Sequence, residues 1–288
     1  MHRPARSRLA AGVIAALAVV ALAGCATAAP SASGEPESSS AHEGDTRVAV
    51  AYDGGIVVLD GETLETVDSA ELDGFLRVNP AGDHDGHVFV TAADGFHVLD
   101  TGLASDTVEF TGEVFDAVTP GHATPHAGRT ALFDDGTGDV TLFDTDAVGT
   151  GTLPESQTVE SEAAHHGVAI ELSDGTLLST IGTSESRSGV RLLADDGSEL
   201  ARDEQCPGVH GEGALKGETI VFGCEDGVLV FADGAFTKLD APDAFGRSGN
   251  AYVTDTSAIA ALDYKSDPDQ EGYCLLYTSP SPRDVEES

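Results

Sequence analysis

The chain has 288 residues, with 50 acidic side chains against 14 Lys and Arg and a formal net charge of −36. Such a negative molecule repels nucleic acid and anionic lipid surfaces, which excludes both as partners, and it concentrates divalent cations around itself. No stretch sustains a helical hydrophobic period, so the reading that follows is one of strands and turns.

The first element is a targeting segment. Arg3, Arg6 and Arg8 precede the apolar run Leu9 to Leu22, and Leu22-Ala23-Gly24-Cys25 matches the bacterial lipobox. Residues 1–24 are therefore expected to be a lipoprotein signal peptide, with the sulfur of Cys25 carrying lipid; an ordinary secretion signal is the alternative. The run is short for a spanning helix, so membrane contact is expected through the lipid alone, with the chain outside the cytoplasm. Residues 25–46 are Ala, Ser, Pro, Gly and Glu with almost no large apolar side chain, and read as a flexible tether containing the isolated His42.

From residue 47 the chain becomes a series of apolar strand pairs split by Asp-Gly or Gly-rich turns. They run Val48–Tyr52 with Ile56–Asp60, Val88–Thr91 with Phe96–Asp100, and Ala131–Phe133 with Val140–Asp144. Thr176–Ile181 with Val190–Leu193, Thr219–Phe222 with Val228–Phe231, and Ala251–Thr254 with Ile259–Asp263 follow. Hairpins repeating at this interval predict an all-β fold, a β-propeller of four-stranded blades of roughly 40 residues each. Residues 47–272 are expected to form it, incomplete in or after a sixth blade where about seven would close the ring. The segment 273–288 breaks from this composition and resembles translated sequencing-adapter read-through, so it is expected to be non-native.

Ahead of the strand pairs, His122, His166 and His210 stand 44 residues apart in one register of the repeat. One register means one radial position in every blade, so these imidazoles are expected to converge and bind a metal, with zinc as the cofactor and a fourth position open. His126 and His165 are candidates for that fourth place or for a second, weaker site, and Glu212 and Asp116 for carboxylates that fix a ring tautomer. Arg77 and Arg247 occupy the same register in the flanking blades and set cations beside the group. Proton competition with histidine ligands is expected at roughly pH 6 to 7.

Other residues have plainer readings. The loop Asp83-His84-Asp85-Gly86-His87 is an exposed hairpin turn or a surface metal site, and His97 is structural. With Cys25 lipidated and Cys274 in the doubtful tail, Cys206 and Cys224 remain, as a disulfide or as thiolate zinc ligands.

The lipobox, the blades, and the motifs Gly121-His-Ala-Thr-Pro-His126, His165-His-Gly-Val-Ala169 and Cys206-Pro-Gly-Val-His-Gly-Glu212 together resemble the extracytoplasmic zinc metallochaperones of the AztD type. That resemblance implies a β-propeller that passes zinc to the solute-binding protein of an ABC zinc importer. It further implies His122, His166 and His210 as zinc ligands and a Cys206–Cys224 disulfide. A zinc carrier rather than an enzyme is the expected function. A metal-dependent hydrolase or lyase using Glu212 as base, and an interaction scaffold without metal, are the alternatives.

Overall fold

Runs of Val, Ile, Leu and Phe too short for helices, each ended by a turn, form strands that pair with their sequence neighbours. The computed structural model describes residues 46–74, 76–269 and 274–276; the expected signal peptide, Cys25, His42 and nearly all of the tether lie outside the described residues. The first blade holds β1 (Arg47–Tyr52), β2 (Gly55–Asp60) and β3 (Thr66–Glu71). The second holds β4 (Arg77–Pro80), β5 (His87–Ala92), β6 (Gly95–Thr101) and β7 (Val108–Asp116). The third comprises β8 (Pro120–His126), β9 (Arg129–Asp134), β10 (Val140–Asp144) and β11 (Ser156–Val159). The fourth comprises β12 (Ala169–Glu171), β13 (Leu177–Gly182), β14 (Arg187–Leu193) and β15 (Glu199–Asp203). In the fifth stand β16 (His210–Leu215), β17 (Thr219–Cys224), β18 (Asp226–Ala232) and β19 (Ala235–Asp240). The sixth has β20 (Gly246–Tyr252), β21 (Ala261–Lys265) and β22 (Cys274–Leu276).

Within each blade the strands pair antiparallel in chain order, as a meander of a β-propeller. A single parallel bridge between Asp226 and Gly246 links the fifth blade to the sixth. One expectation shifts. In the sixth blade Ala251 and Tyr252 end the innermost strand Gly246–Tyr252 rather than opening a separate second strand at 251–254, because the stretch around Arg247 and the start of the apolar run form one continuous strand; the second strand is Ala261–Lys265. Cys274–Leu276, inside the segment 273–288, pairs with the free edge of β21, Tyr264 opposite Cys274. The rest of that segment lies outside the described residues.

The middle strands of the second to fifth blades are apolar on both faces because each of these blades is sandwiched between two others. On β9, Leu132 joins the cluster with Phe89, Phe96 and Phe115 of the second blade, while Ala131 and Phe133 face Ala169 and Leu177 of the fourth. On β17, Ile220 and Phe222 meet Ile170 and Leu178, while Val221 meets Leu262. The period of two thus sends alternate side chains to opposite neighbours, and each interface is a separate small core. Phe115 stacks on Phe143 at 4.5 Å, and Phe89 meets both edge-on at 6.1 Å, which knits the second blade to the third.

Cys206 and Cys224 form a disulfide inside the core between the fourth and fifth blades. It ties the segment leading into β16 to the end of β17. The same segment is held from the other side, with Cys206 N donating to Ser188 O and Gly208 N to Arg187 O at 3.1 and 2.9 Å. Closing a loop across a separation of 18 residues contributes about 3 kcal/mol. Replacing both cysteines by Ser is expected to lower stability by about 2 to 4 kcal/mol, read as a reduced urea midpoint with an unchanged far-UV spectrum.

Candidate metal centre

The three histidines sit where the innermost strands begin. His122 lies in β8, His166 just ahead of β12, and His210 opens β16. Two of these strands are irregular at the histidine itself: the register slips between Pro120 and Ala123, and again between His210 and Glu212. An extra residue bends a strand and re-aims its side chains, which turns these imidazoles out of the ladder. The chain permits this through glycine. Gly211 has φ +67°, and a Cβ there would stand 2.6 Å from the carbonyl oxygen of Gly249. A Cβ on Gly121 would meet a carboxylate oxygen of Asp135 at 2.3 Å.

The rings converge. Centroids of His122 and His166 are 5.4 Å apart, those of His122 and His210 5.3 Å, and those of His166 and His210 5.0 Å. One nitrogen from each lies within 4.8 Å of the others.

Two carboxylates govern the chemistry around them. Asp135, from the turn after β9, accepts a hydrogen bond from His166 Nδ1 at 2.5 Å and another from Gly167 N at 3.2 Å. This clamp across the blade boundary keeps the proton on Nδ1 and leaves Nε2 with a free lone pair. Glu212 is buried, its Oε1 accepting from Thr124 Oγ1 at 2.7 Å while Oε2 stands 3.8 Å from His122 Nδ1, too far for a hydrogen bond. Burial pushes the Glu212 carboxyl up.

His122 Nε2 and Glu212 Oε2 are buried without a hydrogen-bond partner. An orphaned buried polar atom costs about 1 to 3 kcal/mol, and a metal ion would satisfy the imidazole nitrogen. Three imidazoles with an orphaned nitrogen among them fit zinc by donor type and number.

Burial first, then the neighbouring His166 and Arg77, lowers the pKa of His122 to about 4. Burial, with His122 and His166 beside it, lowers that of His210 to about 3. Both are therefore neutral and ready to ligate at pH 7. Proton competition at these two lies well below the pH 6 to 7 expected from ordinary imidazoles.

The remaining histidines lie elsewhere. His126 ends β8 and pairs through Nε2 with Glu218 at 2.9 Å. His165 is buried, bonded to Ala163 O at 2.9 Å and Thr180 Oγ1 at 3.1 Å, with its ring edge-on to Phe133. Neither joins the group of three. His87 is buried on Asp83 at 2.5 Å, a link internal to its loop, and His97 pairs with Asp94 at 2.8 Å. Asp116 ends β7 opposite Gly95, while Asp135 holds His166. Asp135 belongs to an Asp-Gly turn, and a turn is all that its local sequence announces.

Fold and site together define a β-propeller with a three-histidine group at the inner ends of consecutive blades. No family model matches the chain. Over 114 residues, 38% of the chain, it is 30% identical to the zinc chaperone AztD of Citrobacter koseri, and this match spans 27% of that protein's length. The structure of apo AztD from Citrobacter koseri superposes with a TM-score of 0.63 at 19% identity, over 81% of this chain and 70% of that one. A second AztD structure from that organism gives 0.60 at 18% identity, over 80% and 69%. The resemblance to AztD thus appears in both sequence and fold.

Asp135→Asn keeps the shape of the side chain but removes the charge that sets the His166 tautomer. Zinc affinity, read by competition with a chromogenic chelator, is expected to fall about 10- to 100-fold, with folding retained.

Proposed function

We propose that this protein is a zinc carrier rather than an enzyme. His122, His166 and His210 hold Zn²⁺, and the ion is passed on by ligand exchange to the solute-binding protein of an ABC zinc importer. One observation carries the reading: three imidazoles from three separate blades converge to within 4.8 Å, one of them with a buried, unpartnered nitrogen. The resemblance to a zinc chaperone supports it independently. Localisation outside the cytoplasm, anchored by lipid on Cys25, completes the proposal and rests on the Leu22-Ala23-Gly24-Cys25 motif.

The residues divide the work. Burial keeps His122 and His210 unprotonated, so the ion need not displace protons from them at neutral pH. Asp135 orients His166, which is more exposed than His122 and borders the open cleft. Three protein ligands leave a position at which an incoming ligand can bind before the others release, which suits transfer better than a closed four-ligand cage.

Equilibrium dialysis is expected to give one tightly held zinc per chain. His166→Ala should lose at least about 100-fold in affinity, since a ligand is removed outright. Unchanged tight binding in that variant would remove the site from consideration. Mixing the zinc-loaded protein with the apo solute-binding protein of a zinc importer, then separating the two, should find the metal on the recipient.

Acidity provides a further check. The folded values of about 4 and about 3 lie below the ordinary 6.5, so the unfolded chain takes up protons first as pH falls. Stability of the metal-free protein is therefore expected to decline from about pH 6.5 downward, the loss complete only below the folded values. Urea midpoints across this range measure it; a midpoint flat down to pH 4 would contradict the buried, neutral state of these rings.

A further inference from the structure

Cations are scarce in this chain, and five of those described are engaged by carboxylates. Arg47 pairs with Asp60, Arg129 with Glu171, Arg202 with Glu199 and Glu204, Lys238 with Asp226, and Arg247 with Glu225. Arg77, Arg191, Lys216 and Arg187 have no such pair among the described residues, and of these Arg187 lies in a cleft beside one of the three histidines. It opens β14 directly after the turn Thr183–Ser186, half-buried, and its guanidinium has no hydrogen-bond or ion-pair partner among the described residues. An unpaired arginine in a molecule carrying −36 is held where it is by the fold, not by a carboxylate of its own.

Its position gives the reason. Arg187 and His166 line the same cleft of about 470 Å³, walled by the turn Thr183–Ser186, by Pro207 and Gly208, and by Glu225. The loop that carries Gly208 is bonded to the Arg187 carbonyl at 2.9 Å, and Glu225 N donates to Pro207 O at 2.8 Å, so the cleft is built from backbone on both sides. Of its two carboxylates, Glu225 is engaged by Arg247 at 3.2 Å and Glu185 is exposed. The cleft therefore brings His166, one ring of the three-histidine group, together with an arginine whose guanidinium has no hydrogen-bond or ion-pair partner among the described residues.

We infer that this cleft binds a small carboxylate from solution, held by the Arg187 guanidinium, with one oxygen completing the coordination of the metal. The inference rests on the metal-binding reading. Three neutral imidazoles leave the full dipositive charge on the ion, and an anion beside Arg187 lowers that charge while satisfying the guanidinium. Neutral protein ligands with an anionic co-ligand from solution also make a site whose hold on the metal follows the surrounding anion concentration.

Co²⁺ in place of zinc reports directly on the fourth ligand through its visible absorption bands. The wild-type protein loaded with Co²⁺ in anion-poor buffer is titrated with acetate at constant ionic strength, with acetamide as the neutral control. Acetate should shift the bands saturably and acetamide should not. Arg187→Gln should raise the half-saturating acetate concentration roughly ten- to hundredfold, since a charge-assisted pair is lost, and Arg187→Lys should fall between. The same Arg187→Gln protein should bind Co²⁺ at least as tightly as wild type without acetate, because a nearby cation is gone. Bound Co²⁺ whose spectrum ignores acetate, or responds equally in Arg187→Gln, overturns the inference alone. Failure of the wild type to take up Co²⁺ at saturation overturns the metal reading and the inference with it.

Discussion

The site depends on the coupling between neighbouring blades at the inner ends of their first strands. Three consecutive blades contribute one histidine each, so no single sheet contains the three-histidine group. What fixes the rings relative to one another is the interface between blades. Asp135 of the third blade bonds His166 ahead of the fourth, and the Cys206 loop, bonded to Arg187 and Ser188 of the fourth blade, leads directly into His210 of the fifth. Small apolar cores between the blades hold these contacts in register, and the period of two that buries alternate side chains against opposite neighbours is what makes such cores possible.

Buried imidazoles are costly unless they are satisfied, and this group is only partly so. His166 has its aspartate, whereas His122 keeps a buried nitrogen without a partner and Glu212 a buried oxygen without one. A polar cluster left incomplete inside a well-packed propeller is a strained arrangement that a cation relieves. The same burial holds two of the three rings neutral far below ordinary imidazole values, so the protein has the donor set assembled before any ion arrives. Preorganisation of this kind favours capture of a cation, and the open cleft borders His166.

Much of this was legible in the sequence. Short apolar runs split by Asp-Gly turns placed the strands, and an even spacing of 44 residues placed His122, His166 and His210 in one register. The pattern was less informative where a strand is long or a turn does chemistry. Glycines and polar residues in β20 hid its true start, so its apolar end looked like a separate strand. His126 and His165 share motifs with the converging rings, but His126 lies at the far end of β8 on Glu218, and His165, in the irregular stretch ahead of β12, is held by Ala163 and Thr180, so sequence proximity did not bring them to the group. Asp135 and Arg187 act across blade boundaries or from a hairpin end, and only the packed structure shows which ring or cleft each one meets.

The most direct test of the account is X-ray absorption at the zinc edge on the loaded protein. The account predicts a first shell of nitrogen and oxygen at about 2.0 to 2.1 Å, with multiple scattering from three imidazoles and no sulfur. A shell containing sulfur at about 2.3 Å, or the signature of fewer than three imidazoles, would contradict it.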